Sequence, residues 1–303
     1  MASPSLRGFD LLGVPYDGQS TLGYPGSRDA PERVRKCAGW INMRIQGGRI
    51  YSLERNDDIE VGDNLLVDRG DLPVFPHDVL ATFDSTVRGV KGTLDAGRVP
   101  IVIGGDDSIL FPVAQGVHDA LAGRIGIVHF DAHLDLMDTS EKQGRYSQSS
   151  GMRRALELDR VSPRDCIQVC ERLFNFPASG QFKKDNDLAH LSAREVLRIG
   201  PEETVRRVLE RTAGADHLFL SFDIDAIDPA YAPGAGAHEP GGISSAEAME
   251  MVELLAPHCA AMAITEVNPA TDHMDQTSMV AAYLAFTFAV HGATPAQRRG
   301  GRA

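Results

Sequence analysis

A three-layer α/β fold with a mainly parallel central sheet is the class this sequence predicts. Two observations carry it. Short, almost wholly apolar runs alternate with helix-like stretches, the pattern of strands covered on both faces by crossover helices. The Asp-rich segments fall directly after such runs, beyond the carboxyl ends of the strands, where ligands gather in parallel sheets. A chain of 303 residues suits one large domain spanning 1–303, and 43% hydrophobic content supplies a substantial core.

The strand-like runs are residues 9–15 (FDLLGVP), 99–105 (VPIVIGG), 124–133 (RIGIVHFDAH), 166–170 (CIQVC), 217–225 (HLFLSFDID) and 260–268 (AAMAITEVN). Each has the length of a strand and turns polar mainly near its end. Helix-like stretches lie between them at 77–97, 110–123, 149–160, 192–200, 202–214 and 245–259, and a last helix is expected from Gln276 to Val290. Residues 41–75 are less regular and read as short strands and a surface excursion. No repeat or flexible linker divides the chain. The tail from about 292, GATPAQRRGGRA, reads as a frayed, solvated end.

Charge narrows the function. With 42 acidic against 30 basic residues the net charge is −12, which argues against nucleic-acid binding and mildly favours small cationic substrates. No apolar run reaches the roughly 18 residues a membrane span requires. The N-terminus lacks the basic start and apolar core of a signal peptide. Cys37, Cys166, Cys170 and Cys259 are scattered and read as buried reduced thiols. The expected compartment is the cytoplasm.

Three segments carry chemistry: GGDDSI (104–109), FDAHLDL (130–136) and SFDIDAIDP (221–229). In an extended segment alternate side chains share a face, so Asp131, His133 and Asp135 converge. Asp223 and Asp225 repeat the arrangement, and Asp228 follows. Buried carboxylates without counter-charge carry a large desolvation penalty, which metal ions remove. Oxygen ligands with one or two imidazoles suit Mn²⁺, and could hold Fe²⁺, Co²⁺, Ni²⁺ or Zn²⁺. A bridged pair of ions would orient a water and lower its pKa.

With these motifs the chain resembles the ureohydrolase family, the arginase and agmatinase group, and its agmatinase-like branch in particular. LLGVPYDG, PGSRDAPERVR, VIGGDDSI, FDAHLDL, SFDIDAIDPAYAPGAGAHEPGG and ITEVNP carry the resemblance over nearly the whole chain. It implies an arginase-like fold, a trimer or hexamer, and two Mn²⁺ ions bridged by a hydroxide that attacks a guanidinium carbon and releases urea. Asp131 and Asp223 would be the bridging carboxylates, His133 and Asp225 would serve one ion, and Asp135 the other together with Asp107. Glu266 matches the residue that pairs with the substrate's guanidinium, whose fork of donors meets carboxylate oxygens two at a time.

Three departures bear on the chemistry. Asp107 stands where the family has His, which predicts an oxygen-richer centre with altered metal preference, Ni²⁺ included, or one weaker site. Asp106 beside it reads as structural. Gln148 occupies the place of a proton-shuttling His and cannot carry a proton near neutral pH. Ala235 and Ala237 replace threonines, while His238 is a candidate substitute shuttle. The histidines at 77, 118, 129, 258 and 291 give no ligand spacing and read as structural or exposed. The expected activity is hydrolysis of a small guanidino compound other than arginine. Two alternatives stand beside it: a weak or inactive homologue serving as a structural subunit of a mixed oligomer with an active one, and a metal-dependent amide hydrolase.

Overall fold

A computed structural model describes residues 6–20, 23–139, 141 and 144–294. Eight parallel strands form the central sheet. They are β1 (Phe9–Gly13), β4 (Leu66–Asp71), β5 (Val99–Ile103), β6 (Ile125–Phe130), β7 (Ile167–Val169), β8 (Ala189–Leu191), β9 (His217–Asp223) and β10 (Cys259–Thr265). Their spatial order is β4-β1-β5-β10-β9-β6-β7-β8. A small antiparallel pair, β2 (Arg49–Ser52) and β3 (Asp57–Glu60), occupies the irregular region.

The sheet's two faces feed separate cores. Ile101, Ile103, Phe130, Leu220 and Phe222 pack on one side with α1 (Ala30–Asn42), α6 (Ala193–Arg211), α7 (Ser245–Leu255) and α8 (Gln276–Gly292). Val102, Ile127, Phe219 and Ala263 pack on the other with α2 (Val79–Asp95), α3 (Leu110–Ala120) and α4 (Gly151–Ala155). This alternation makes the three layers. Helix starts follow local chemistry: Asp78 accepts from Ala81 N, and Ser244 and Glu247 form a reciprocal capping box. The stretches 192–200 and 202–214 run into one another as α6, interrupted at Gly200 (φ 79°) before Pro201.

β4 is a short strand within the irregular 41–75 region, where short strands were expected, and it forms one edge of the sheet. Other elements differ from expectation: β8 adds the opposite edge strand, and α1 and α5 (Pro177–Asp185) are additional helices. The helix expected over 149–160 shrinks to a short 3₁₀ turn and the five residues of α4. The tail expected to fray from about 292 lies mostly outside the described residues; Gly292 ends α8, and Ala293 O accepts from Arg7 N. All four cysteines are free and buried. Among the described residues no helix is long and apolar enough to cross a membrane.

Glu171, two residues beyond β7, is buried with neither carboxylate oxygen hydrogen-bonded. Burial pushes it well above the usual carboxylate range, against a smaller opposing pull from Lys183. A folded pKa above the unfolded one contributes stability at low pH and loses it as pH rises through the folded value. Glu171→Gln is therefore expected to match the parent near pH 4 and to melt roughly 2–4 °C higher at pH 8. Melting curves across that range check this; a shift independent of pH would contradict it.

Candidate metal centre

Four neighbouring central strands, β5, β10, β9 and β6, deliver the chemistry at their carboxyl ends. Thr265 lies opposite Asp223 and Phe130 opposite Phe222, so the segments that follow these strands meet. Asp107 follows β5, Glu266 follows β10, Asp223 ends β9 and Asp131 follows β6. The turn after β5 needs glycine at 105, because a Cβ there would lie 1.7 Å from Tyr16 O. Asp106 ties this turn together, accepting from Gln19 N (2.8 Å) and Ser108 N (3.1 Å). Burial raises it to about 6.

Asp107 donates its backbone N–H to Glu266 Oε1 (2.9 Å) and accepts from Thr265 Oγ1 (2.8 Å). Its Oδ2 has no hydrogen-bond partner. Asp131 faces two ways: Oδ1 lies 3.2 Å from His133 Nδ1, and Oδ2 lies 3.1 Å from His129 Nε2. His133 Nδ1 is also 3.0 Å from Asp225 Oδ2. Asp225 Oδ1 accepts from Ala132 N, and Asp223 Oδ1 from Asp225 N, each at 2.9 Å. Two groups able to hold a cation result, Asp107–His129–Asp131 and Asp131–His133–Asp225, sharing Asp131. Asp135 and Glu266 adopt positive φ (48° and 61°), a region uncommon for residues with side chains and concentrated at functional sites.

The electrostatics match this donor set to divalent ions. Burial first, then repulsion from neighbouring carboxylates, pushes Asp107, Asp135 and Asp223 well above the usual range. Asp131 lies below that range: burial opposes its charge, but His129 and His133 overcome the opposition. His133 is raised despite burial, through Asp225 and Asp131. Carboxylates outnumber imidazoles, and the buried Asp107 Oδ2, Asp131 Oδ2 and His129 Nε2 all lack hydrogen bonds. Oxygen-rich donors with imidazole and excess negative charge fit a pair of divalent cations.

Comparison with known proteins agrees with that chemistry. A family model described as the arginase family matches residues 7–291. The chain belongs to the arginase family. It is an enzyme of the amidinohydrolase class. Guanidinopropionase of Pseudomonas aeruginosa is 30% identical over 288 residues, 93% of this chain and 86% of that protein. The solved proclavaminate amidinohydrolase of Streptomyces clavuligerus has a TM-score of 0.82 at 27% identity, covering 96% of this chain and 94% of its own. A Trypanosoma cruzi formiminoglutamase solved with Mn²⁺ shares the fold, with a TM-score of 0.84 at 23% identity, covering 96% of this chain and 95% of its own.

Within this arginase-family site, Gln148 opens the 3₁₀ turn Gln148–Ser150 and lines the same cavity as His133, Asp135, Asp223, Asp225 and Glu266. His238 lies elsewhere: it is exposed, with Nε2 2.7 Å from Pro233 O, and Ala237 supplies the cavity wall. Asp228 does not extend the Asp223–Asp225 pair; it accepts from Ala230, Gly241 and Gly242 N and closes the loop. Gly236 leaves Glu266 room, since a Cβ there would come 2.7 Å from Oε2. His129, expected to be structural or exposed and without ligand spacing, instead lies buried with Asp107 and Asp131 in one of the two groups able to hold a cation. The alternation that groups Asp131 with His133 extends back one step to it, and that was the available signal.

Proposed function

We propose that this arginase-family enzyme hydrolyses a small guanidino compound to urea at a centre of two divalent ions, with Mn²⁺ preferred and Ni²⁺ an alternative. The observation that carries the proposal is Glu266, 8% exposed, lining one cavity with the Asp and His donors. A carboxylate so buried needs a cationic partner, and a guanidinium supplies two donors in its plane. The bond from Asp107 N fixes one Glu266 oxygen, while Gly236 keeps the other uncrowded. Asp107, Asp131, His133, Asp135, Asp223 and Asp225 would hold the ions. Two such ions, when bound, would lower the pKa of water and so supply a nucleophilic oxygen at neutral pH.

Beyond these groups the cavity wall includes Gln148, Ser149, Asn175 and Ser179, and none of its remaining described residues is charged. This supports recognition of the substrate's tail by amides and hydroxyls rather than an ion pair. Identities to guanidinopropionase (30%), formimidoylglutamase (28%) and agmatinase (28%) are too alike to favour one tail. Gln148 can orient a water or the leaving amine but cannot deliver a proton. It favours a second reading, a weak homologue stabilising an active partner in a mixed oligomer. A trimer or hexamer rests on the family resemblance and is read by light scattering.

The test is urea release from guanidino acids, guanidino amines and guanidine, with Mn²⁺, Ni²⁺, Co²⁺ and Zn²⁺ supplied separately. Urea from one or more compounds is expected. Gln148→His should then raise kcat roughly tenfold, less than the about 100-fold or more that a fully positioned general acid supplies, and His238→Ala should leave it unchanged. Absence of urea under every condition, with co-purification of an active homologue, would establish the structural reading.

A further inference from the structure

We infer that His129 is a metal ligand, supplying an imidazole to the Asp107 side of the centre as His133 does to the other. The inference rests on the metal-centre reading above. His129 is fully buried in β6, and Nε2 lies 3.1 Å from Asp131 Oδ2 and 3.8 Å from Asp107 Oδ2. Adjacent donors around an ion at about 2.1 Å stand about 3.0 Å apart and opposite donors about 4.2 Å, so both spacings fall within one coordination shell. None of the three atoms makes a hydrogen bond. The nearer pair has the distance of one without the alignment, so Nε2 is directed past the Asp131 oxygen. Three buried polar atoms left unpaired around one gap are a costly arrangement unless a cation completes it.

Gln168 governs the other ring nitrogen. Its amide nitrogen lies 3.4 Å from His129 Nδ1 and donates to Leu134 O at 2.6 Å, while its Oε1 is unpaired. A ligating His129 must carry its proton on Nδ1, and ligating histidines are held by an acceptor for that proton. Ligation therefore requires the Gln168 amide to turn and present Oε1, exchanging the Leu134 bond for one to His129. If the amide stays as it stands, it favours the proton on Nε2, and His129 becomes only a donor to Asp131. The two arrangements give different spectra.

Cadmium-loaded protein with isotope-labelled histidine separates them by through-bond cadmium–nitrogen coupling. Two coupled histidines are expected, and His129→Gln should remove one coupling and weaken one ion's binding more than about 100-fold, with the other ion retained. Two bound ions with coupling to His133 alone would overturn the inference while leaving the metal centre intact. If wild-type protein binds no cadmium at these residues, the metal-centre reading fails and the inference with it. The wild-type coupling count needs no variant to fold.

Discussion

Asp131→Ala is expected to lose both metal ions, whereas Asp107→Ala loses one. The difference follows from Asp131's position between the two groups of donors, with one oxygen toward His133 and the other toward His129 and Asp107. Asp107 borders only the second group. Elemental analysis after dialysis should read two ions in the parent, none in the Asp131 variant and one in the Asp107 variant. Stability provides a second readout. An ion at a hundred times its Kd stabilises the native state by about 2.7 kcal/mol, and that metal-dependent rise in Tm should vanish in Asp131→Ala. Equal loss from both variants would contradict this assignment of Asp131 to both ions and Asp107 to one.

Glu266→Gln is the second large effect. Glutamine is nearly isosteric and its oxygen can still accept from Asp107 N, so the turn after β5 should keep its shape. What disappears is the charge that pairs with a guanidinium. A fall of roughly 100-fold in kcat/KM, about 2.7 kcal/mol, is expected with unchanged metal content. Loss of metal along with activity would mean that Glu266 supports the centre rather than the substrate.

The sheet was legible because its central strands are buried on both faces: Val99–Ile103 is a continuous apolar run and Ile125–Phe130 is apolar but for His129, with no competing period. The Asp-rich segments were legible because each directly follows such a run and the strands end together. Ile224–Ala226, however, is a 3₁₀ turn and Asp135 has positive φ, so the side chains do not meet through extended backbone. Other elements carry weaker signals. β8 has three residues and only one is buried, and α5 buries little beyond Ser179. Their structure depends on tertiary packing rather than on their own pattern. In α1 the buried Val34, Cys37, Ala38 and Ile41 do have helical spacing, but charged neighbours interrupt it.

The site's remaining features depend on direction. Gln148 and His238 are both plausible cavity residues by sequence position, yet loop paths turn only the first toward the donors. His129 is hidden for the opposite reason. A histidine inside an apolar strand reads as core until neighbouring carboxylates are seen around its ring.

Anomalous diffraction from Mn²⁺-loaded crystals is the most direct measurement of the central claim. Two peaks are predicted on either side of Asp131, one among Asp107, His129 and Asp135 and the other beside His133 and Asp225, with Asp223 reaching both. A single peak away from Asp131, or no peak at these residues in protein that retains its fold, would contradict the account.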